Sequence, residues 1–230
     1  MGIVYDKIVK GGLAILLDPD KESQFNVDAI VVHGQHAGAS LFLVGGSLVT
    51  KPLDEFVINL RAKTSLPVVL FPGSAMQFTP NADGILFLSL ISGRNPDFLI
   101  GHHVAIAPML KQSGVEVVPT GYILIDGGSP TSVQYMSQTM PVPANKTDIA
   151  VATAIAGELL GLKAIYLEAG SGAKNTVPTK LIEAVRKAIS LPLIVGGGIR
   201  TKQQYIDALN AGANLVVVGN GFEDNPQMFV

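Results

Sequence analysis

The strongest constraint on what this chain can fold into lies near its end. There the apolar run Leu193-Ile194-Val195 empties into Gly196-Gly197-Gly198, and soon afterwards Leu215-Val216-Val217-Val218 empties into Gly219-Asn220-Gly221. Short continuous apolar runs bounded by glycine read as strands buried on both faces. Glycines directly after such strands let the backbone turn tightly and bring its amides close to a ligand that side chains would hold off. Thr201 stands where it would N-cap a helix over residues 202–211. Amides at a helix start suit an anion, most often a phosphate. Either glycine set alone reads equally as a tight turn. Two in succession near the C-terminus read as the phosphate site of a (β/α)8 barrel.

The rest of the chain supplies the other strands. Residues 12–18 read as a first buried strand ending in Asp18, broken by Pro19-Asp20-Lys21 and followed by a helix over 25–37 that begins at Phe25. A strand over 41–44 closes in Gly45-Gly46-Ser47, a helix follows over 53–63, and a third strand over 66–71 ends in Pro72-Gly73-Ser74. Residues 75–83 read as a short helix or loop. The fourth strand spans 84–89, and Asn95-Pro96 then supplies the cap and first turn of a helix over 97–112. A fifth strand over 116–125 leads into an irregular stretch, 126–145, of the length that often carries function. A helix over 147–160, a sixth strand over 164–168 and a helix over 178–189 complete the pattern. The tail beyond Asn220 leaves room only for a stub of an eighth helix. Strand and helix in alternation give a parallel sheet with helices outside. An open doubly wound sheet would place its phosphate glycines after the first strand, and here they come last. The expected fold is α/β: a single modified (β/α)8 TIM barrel over residues 1–230, with phosphate-binding turns at its C-terminal end.

Composition narrows the partners. A net charge of −2 argues against a nucleic-acid binder, and the lack of cysteine excludes disulfides, thiolate metal sites and a cysteine nucleophile. The N-terminus lacks a signal-peptide pattern, and no apolar run approaches the ~20 residues of a membrane span. The expected compartment is the cytoplasm. Hydrophobic residues make up 48% of the chain and charged ones 15%. That balance supplies a large core, and the apolar excess is accounted for by a subunit interface, by a greasy substrate groove or by ordinary parallel strands.

Active sites of such barrels lie at the C-terminal ends of the strands. Those ends read Asp18, Ser47, Ser74, the 92–95 turn, Tyr122, Glu168, Gly196-Gly197-Gly198 and Gly219-Asn220. Two carboxylates face the mouth, Asp18 and Glu168, and no strand ends in lysine, which argues against Schiff-base chemistry. Asp18, with Asp20 nearby and Ser47 on the next strand, suits a hard divalent cation such as magnesium; otherwise Asp18 caps a turn. Glu168, followed by the open amides and hydroxyl of Ala169-Gly170-Ser171-Gly172, is placed to take a proton from a substrate hydroxyl or to hold a polyol; otherwise it is a structural acid bonded to barrel backbone. His102 and His103 read as helix or interface residues rather than catalysts.

Taken together, Leu17-Asp18-Pro19-Asp20-Lys21, Val44-Gly45-Gly46-Ser47, Ser92-Gly93-Arg94-Asn95-Pro96-Asp97, Gly121-Tyr122, Tyr166-Leu167-Glu168-Ala169-Gly170-Ser171-Gly172, Gly196-Gly197-Gly198-Ile199 and Gly219-Asn220 resemble the geranylgeranylglyceryl phosphate synthase family, a group that includes the heptaprenylglyceryl phosphate synthases. The resemblance runs nearly end to end. It implies a modified (β/α)8 barrel that joins a polyprenyl diphosphate, geranylgeranyl in the larger branch, to the 3-hydroxyl of sn-glycerol 1-phosphate. Magnesium (Mg2+) ligands are implied at Asp18 and Ser47. Glycerol-phosphate contacts are implied at Tyr166, Leu167, Glu168, Ala169, Gly170, Ser171, Gly172, Gly197, Gly198, Gly219 and Asn220. Joined to the reading of the residues themselves, this makes Glu168 the candidate catalytic proton acceptor. The smaller branch carries lysine two places before the first aspartate; Leu16 stands here, which points to the larger branch. Related proteins form dimers or hexamers, so a homo-oligomer is expected, with transient membrane contact for the lipid product. Two rival readings use the same glycine turns: a phosphosugar isomerase working between Asp18 and Glu168, and a non-catalytic scaffold that binds a phosphorylated metabolite.

Overall fold

The computed structural model describes residues 2–24 and 26–229. In chain order the elements are α1 (Ile3–Lys10), β1 (Gly12–Leu17), α2 (Val27–His36), β2 (Ala39–Val44), α3 (Leu53–Lys63), β3 (Val68–Leu70), β4 (Gly84–Leu90), α4 (His102–Ser113), β5 (Glu116–Leu124), α5 (Ser132–Ser137), α6 (Thr147–Leu159), β6 (Ala164–Glu168), α7 (Thr179–Ala188), β7 (Leu193–Gly196), α8 (Lys202–Asn210), β8 (Leu215–Val218) and α9 (Asn220–Asp224). The strands are all parallel, neighbour their sequence neighbours, and close because β1 pairs with β8 from Gly12↔Leu215 to Ile15↔Val218. The expected barrel is the observed one.

Strand periodicity divides the core into two layers. Leu13, Ile15, Leu17, Phe42, Leu167 and Ala169 face the surrounding helices. Ala14, Leu41, Leu43, Val69, Leu86, Tyr122, Tyr166, Ile194 and Val217 fill the barrel interior. On β6 this alternation sends Tyr166 and Glu168 inward and Leu167 outward. The lower opening is closed by α1, which the sequence reading did not anticipate. Val4 and Ile8, one turn apart, are fully buried against the interior residues, and each such burial is worth about 1.5–3 kcal/mol. Glu116 at the start of β5 accepts the backbone N–H groups of Val4 (2.8 Å) and Tyr5 (2.9 Å), satisfying donors that a helix start leaves free.

The element boundaries differ from expectation where proline and loop geometry intervene. The third strand shrinks to Val68–Leu70 because Pro67 and Pro72 flank it and neither can donate to a ladder. Residues 75–83 form no helix, so the β3–β4 crossover is bare chain. It is braced by Thr79 and Asn81 on the Asp54 carboxylate and by Arg61 on Asp83 (2.8 Å). The helix expected from residue 97 opens as a π-helical turn, Asp97–Gly101, before its α-helical part. Asn95 does cap that turn, accepting Asp97 N–H at 3.1 Å. The stretch 126–145 is less irregular than its composition suggests, since it holds α5. Thr201 caps α8 as expected, in a reciprocal box with Gln204. Phe25, expected to begin the first helix, lies outside the described residues. The eighth barrel helix is the stub α9.

Candidate active site

At the C-terminal ends of the strands a cavity of about 390 Å³ opens, lined by Asp18, Gly46, Ser47, Tyr122, Tyr166, Glu168, Ser171, Gly172, Gly197, Gly198, Gly219 and Asn220 among others. Most residues singled out in the sequence therefore meet in one place. Leu167, Ala169 and Gly170 do not line it: the first two side chains face the helix layer, and Gly170 acts through its backbone. Arg94 lies outside as well, exposed, with its guanidinium on the Gly93 carbonyl (2.7 Å). Asp20 turns away and accepts the backbone N–H groups of Thr50 (3.0 Å) and Lys51 (2.9 Å).

Glu168 is the most constrained group in the mouth. Its carboxylate is buried, with Oε1 accepting the Gly170 N–H at 2.7 Å. Burial raises its pKa above the usual glutamate range, against the opposing pull of the Tyr166 hydroxyl and that amide. Tyr122 and Tyr166 meet edge to face, ring centres 5.3 Å apart, and Phe71 completes the cluster 5.5 Å from Tyr166. Burial and the Glu168 charge keep both phenols protonated. The Tyr166 hydroxyl is buried beside the Glu168 carboxylate, outside strict hydrogen-bond geometry to any described residue.

The backbone around Glu168 is packed so closely that side chains are excluded. Gly197 has φ +85°, and a Cβ there would stand 2.4 Å from Glu168 Oε1 and 2.6 Å from Gly170 N. On Gly196 it would meet the Tyr166 hydroxyl at 2.3 Å. Gly219 is different: its φ is −103° and a Cβ would find nothing nearer than 3.7 Å. Packing leaves it free to carry a side chain, which would take up space in the cavity it lines.

At the opposite rim Asp18 is half-buried, and desolvation raises its pKa against the lowering effects of the Asp20 amide and Lys21. Its Oδ1 accepts the Asp20 N–H at 3.1 Å. Its Oδ2 faces Gly46, 3.5 Å from where a Cβ would stand, and Ser47 follows. The sequence reading missed Lys21, Arg200 and Glu223, all of which line the same cavity. Lys21 was visible beside Asp20, but nothing local marks Glu223 as its partner.

From Gly46, Ser47, Phe71, Tyr122 and Val133 the cavity continues into an apolar groove walled by Pro72, Ala75, Phe87, Leu88, Phe98 and Ile106. The groove exists because the β3–β4 crossover lacks a helix. His102 and His103 also line it. His103 is buried, with Nε2 3.1 Å from Ser89 Oγ and its ring edge-on to Phe87, and burial lowers its pKa. Both histidines belong to the groove wall, a role their helical position alone did not suggest.

Residues 6–230 match the PcrB family. The chain is 50% identical to a geranylgeranylglyceryl phosphate synthase from Spirosoma linguale, over 99% of this chain and 93% of that one. It is 47% identical to one from Chitinophaga pinensis, over 95% and 88%. The crystal structure of (S)-3-O-geranylgeranylglyceryl phosphate synthase from Thermoplasma acidophilum in complex with sn-glycerol-1-phosphate superimposes with a TM-score of 0.91 at 31% identity, covering 100% of this chain and 94% of that one.

Proposed function

The chain belongs to the PcrB family, and from that premise we propose that it is a prenyltransferase joining geranylgeranyl diphosphate to the 3-hydroxyl of sn-glycerol 1-phosphate. The observation that carries this reading is the junction of a polar, carboxylate-bearing cavity with an apolar groove at Ser47, Phe71 and Tyr122. A phosphate cup for a small sugar needs no such groove. A water-soluble acceptor and a long hydrocarbon donor need both.

The reaction breaks the bond between the allylic C1 and the diphosphate oxygen and forms a bond from C1 to the glycerol oxygen. The hydroxyl proton goes to Glu168, and diphosphate departs. Backbone amides at Gly197-Gly198 and Gly219-Asn220 hold the glycerol phosphate dianion. The Tyr166 hydroxyl and Ser171 orient the glycerol hydroxyls, which brings the attacking oxygen to the carboxylate. A carboxyl with raised pKa is a better proton acceptor than an exposed one once ionised. Phe71 and Tyr122 exclude water from the allylic carbon while it carries positive charge.

The donor set at the opposite rim fits magnesium. Asp18 supplies one desolvated carboxylate and Ser47 a hydroxyl, both hard oxygen donors, and among the described residues no cluster of three histidine or acidic groups forms an all-protein cage. Magnesium favours such open sites, taking one or two carboxylates and completing its shell with water and substrate phosphate. Magnesium held by Asp18 and Ser47 would supply charge neutralisation for the departing diphosphate. Replacing Asp18 with Asn raises the magnesium concentration for half-maximal rate by about tenfold or more; an unchanged metal titration removes Asp18 from the site. Exposed apolar side chains on and beside the outer helices, Ile100, Val104, Met109, Leu159 and Leu160, support homo-oligomer formation. No helix among the described residues is long and apolar enough to cross a membrane, and cytoplasmic work with transient membrane contact for the product completes the proposal.

Purified protein supplied with sn-glycerol 1-phosphate, magnesium and prenyl diphosphates of graded length yields the prenyl glyceryl ether by mass analysis, with geranylgeranyl preferred. Conversion of a sugar phosphate, or binding of glycerol phosphate with no ether formed from any donor, overturns the reading.

A further inference from the structure

A second polar network joins the two ends of the barrel chain, and nothing in the chemistry above uses it. Lys21 follows β1, and Glu223 sits on α9 after β8. Lys21 Nζ donates to Asn220 Oδ1 at 2.8 Å and to Glu223 Oε2 at 3.2 Å. The other oxygen of Glu223, Oε1, accepts the backbone N–H of Asp18 at 3.1 Å. The Glu223 side chain is only 6% exposed, whereas that of Lys21 is 31% exposed and lines the cavity. One nearly buried carboxylate thus grips the backbone of the Asp18 turn and the ammonium that touches the Gly219-Asn220 turn.

The placement is costly unless it serves a ligand. The Glu223 carboxylate is nearly buried and stands beside a second acid, Asp18. An ion pair that merely tied two surface loops together would be worth little and would not call for a second carboxylate beside Asp18. An ammonium has three donors. Two are committed here to Asn220 and Glu223, which leaves one for the cavity. It stands between the turn assigned to the glycerol phosphate and the carboxylate assigned to the diphosphate end.

We infer that Lys21 binds a substrate phosphate oxygen through its remaining N–H, and that Glu223 is the positioning residue that aims it. The inference rests on the function proposed above for the cavity. The shared chemistry is a phosphate oxyanion, and the two sources are glycerol phosphate and the prenyl diphosphate. A lysine serves either as a point charge. Fixing it by two acceptors restricts its long side chain before the ligand arrives.

The test uses full-length Lys21→Met and Glu223→Gln proteins, with two binding probes measured separately by calorimetry: sn-glycerol 1-phosphate alone, and inorganic diphosphate with magnesium. KM for each substrate, kcat and thermal stability are measured alongside. The expected result for Lys21→Met is an affinity loss of about tenfold for one probe, with the other within about twofold. Glu223→Gln, which keeps the shape and an acceptor but not the charge, weakens the same probe by about threefold. KM for the matching substrate rises in step in both variants. Which probe responds identifies the phosphate source. If both variants bind both probes as the unsubstituted protein does and only melting changes, the pair is a structural strut and the inference fails. Equal weakening of both probes also overturns it, because a loss without selectivity reports distortion of the mouth. The binding arms do not depend on turnover. A protein that binds these anions selectively through Lys21 yet makes no ether sinks the proposed reaction and leaves the binding role standing. Normal ether synthesis with unchanged anion affinities does the reverse.

Discussion

On the β6–β7 side of the mouth the backbone is so crowded that a single added methyl at Gly197 would overlap the Glu168 carboxylate and the Gly170 amide. On the β3–β4 side an entire helix is missing, and partly buried Phe87 and Leu88 line a groove there. In the reaction proposed above, the two regions take its two parts. Proton transfer and phosphate binding depend on direction and distance, so the polar half is built by close approach of backbone, where small displacements are costly. A hydrocarbon chain asks only to be removed from water, an attraction without direction. The apolar half is therefore built by leaving an element out.

This contrast breaks first at Glu168. Glu168→Gln keeps the shape of the crowded side and removes the proposed proton acceptor, so turnover falls by about 10³-fold while circular dichroism stays unchanged. Turnover near that of the unsubstituted protein removes Glu168 from the chemistry. A glycine pair then separates crowding from binding. Gly197→Ala combines a left-handed backbone with the overlap described above and costs about 2–4 kcal/mol of stability. Gly219→Ala meets no such overlap, so it loses less stability than Gly197→Ala and raises the glycerol phosphate KM by about tenfold. Denaturant melts beside kinetics read both, and equal stability losses would show that the two turns are not built differently.

The open side answers to bulk instead. Ala75→Trp, placed in the groove wall, raises KM for the prenyl diphosphate by about fivefold and leaves KM for glycerol phosphate unchanged. A rise in both would mean that the two halves are not independent. The smallest expected effect is in pH. Because burial raises the Glu168 pKa, the acidic limb of the rate profile lies above the ordinary glutamate range and disappears in Glu168→Gln. The stability contribution has a definite sign. A carboxyl with raised native pKa favours the folded state below its unfolded pKa, and that contribution is lost as pH rises through the folded value. Glu168→Gln accordingly melts higher than the unsubstituted protein at neutral pH and loses that advantage in acid. An advantage independent of pH would assign the shift to another group.

Legibility in the sequence followed the range of the interactions involved. Apolar runs flanked by glycine and proline marked every strand, and Thr201 with Gln204 marked the start of α8, because such signals act over a few residues. Glu168 was legible because it ends a strand whose inward face can be counted from Tyr166 by twos. α1 was missed although Val4 and Ile8 are one turn apart, since a short helix carries little periodic signal. The helix-free crossover after β3 showed only as weak periodicity over residues 75–83. Gln77 within it clamps the Gly46 turn, donating to the Gly46 carbonyl at 2.8 Å and accepting the Gly73 N–H at 3.1 Å, and no pattern announces that contact.

The glycine turns at the end of the chain show where the boundary falls. Sequence by itself determined that the backbone turns there after buried strands, that a helix starts at Thr201, and that eight such units close a barrel. These follow from local propensity and from the need to cover apolar strands on both faces. Only the tertiary structure decided that Gly197 is a glycine because Glu168 lies against it, whereas Gly219 is one that packing does not demand. It also decided that Lys21 meets a carboxylate 202 positions away. Such pairings depend on which strand ends share a rim, and closure of the barrel sets that.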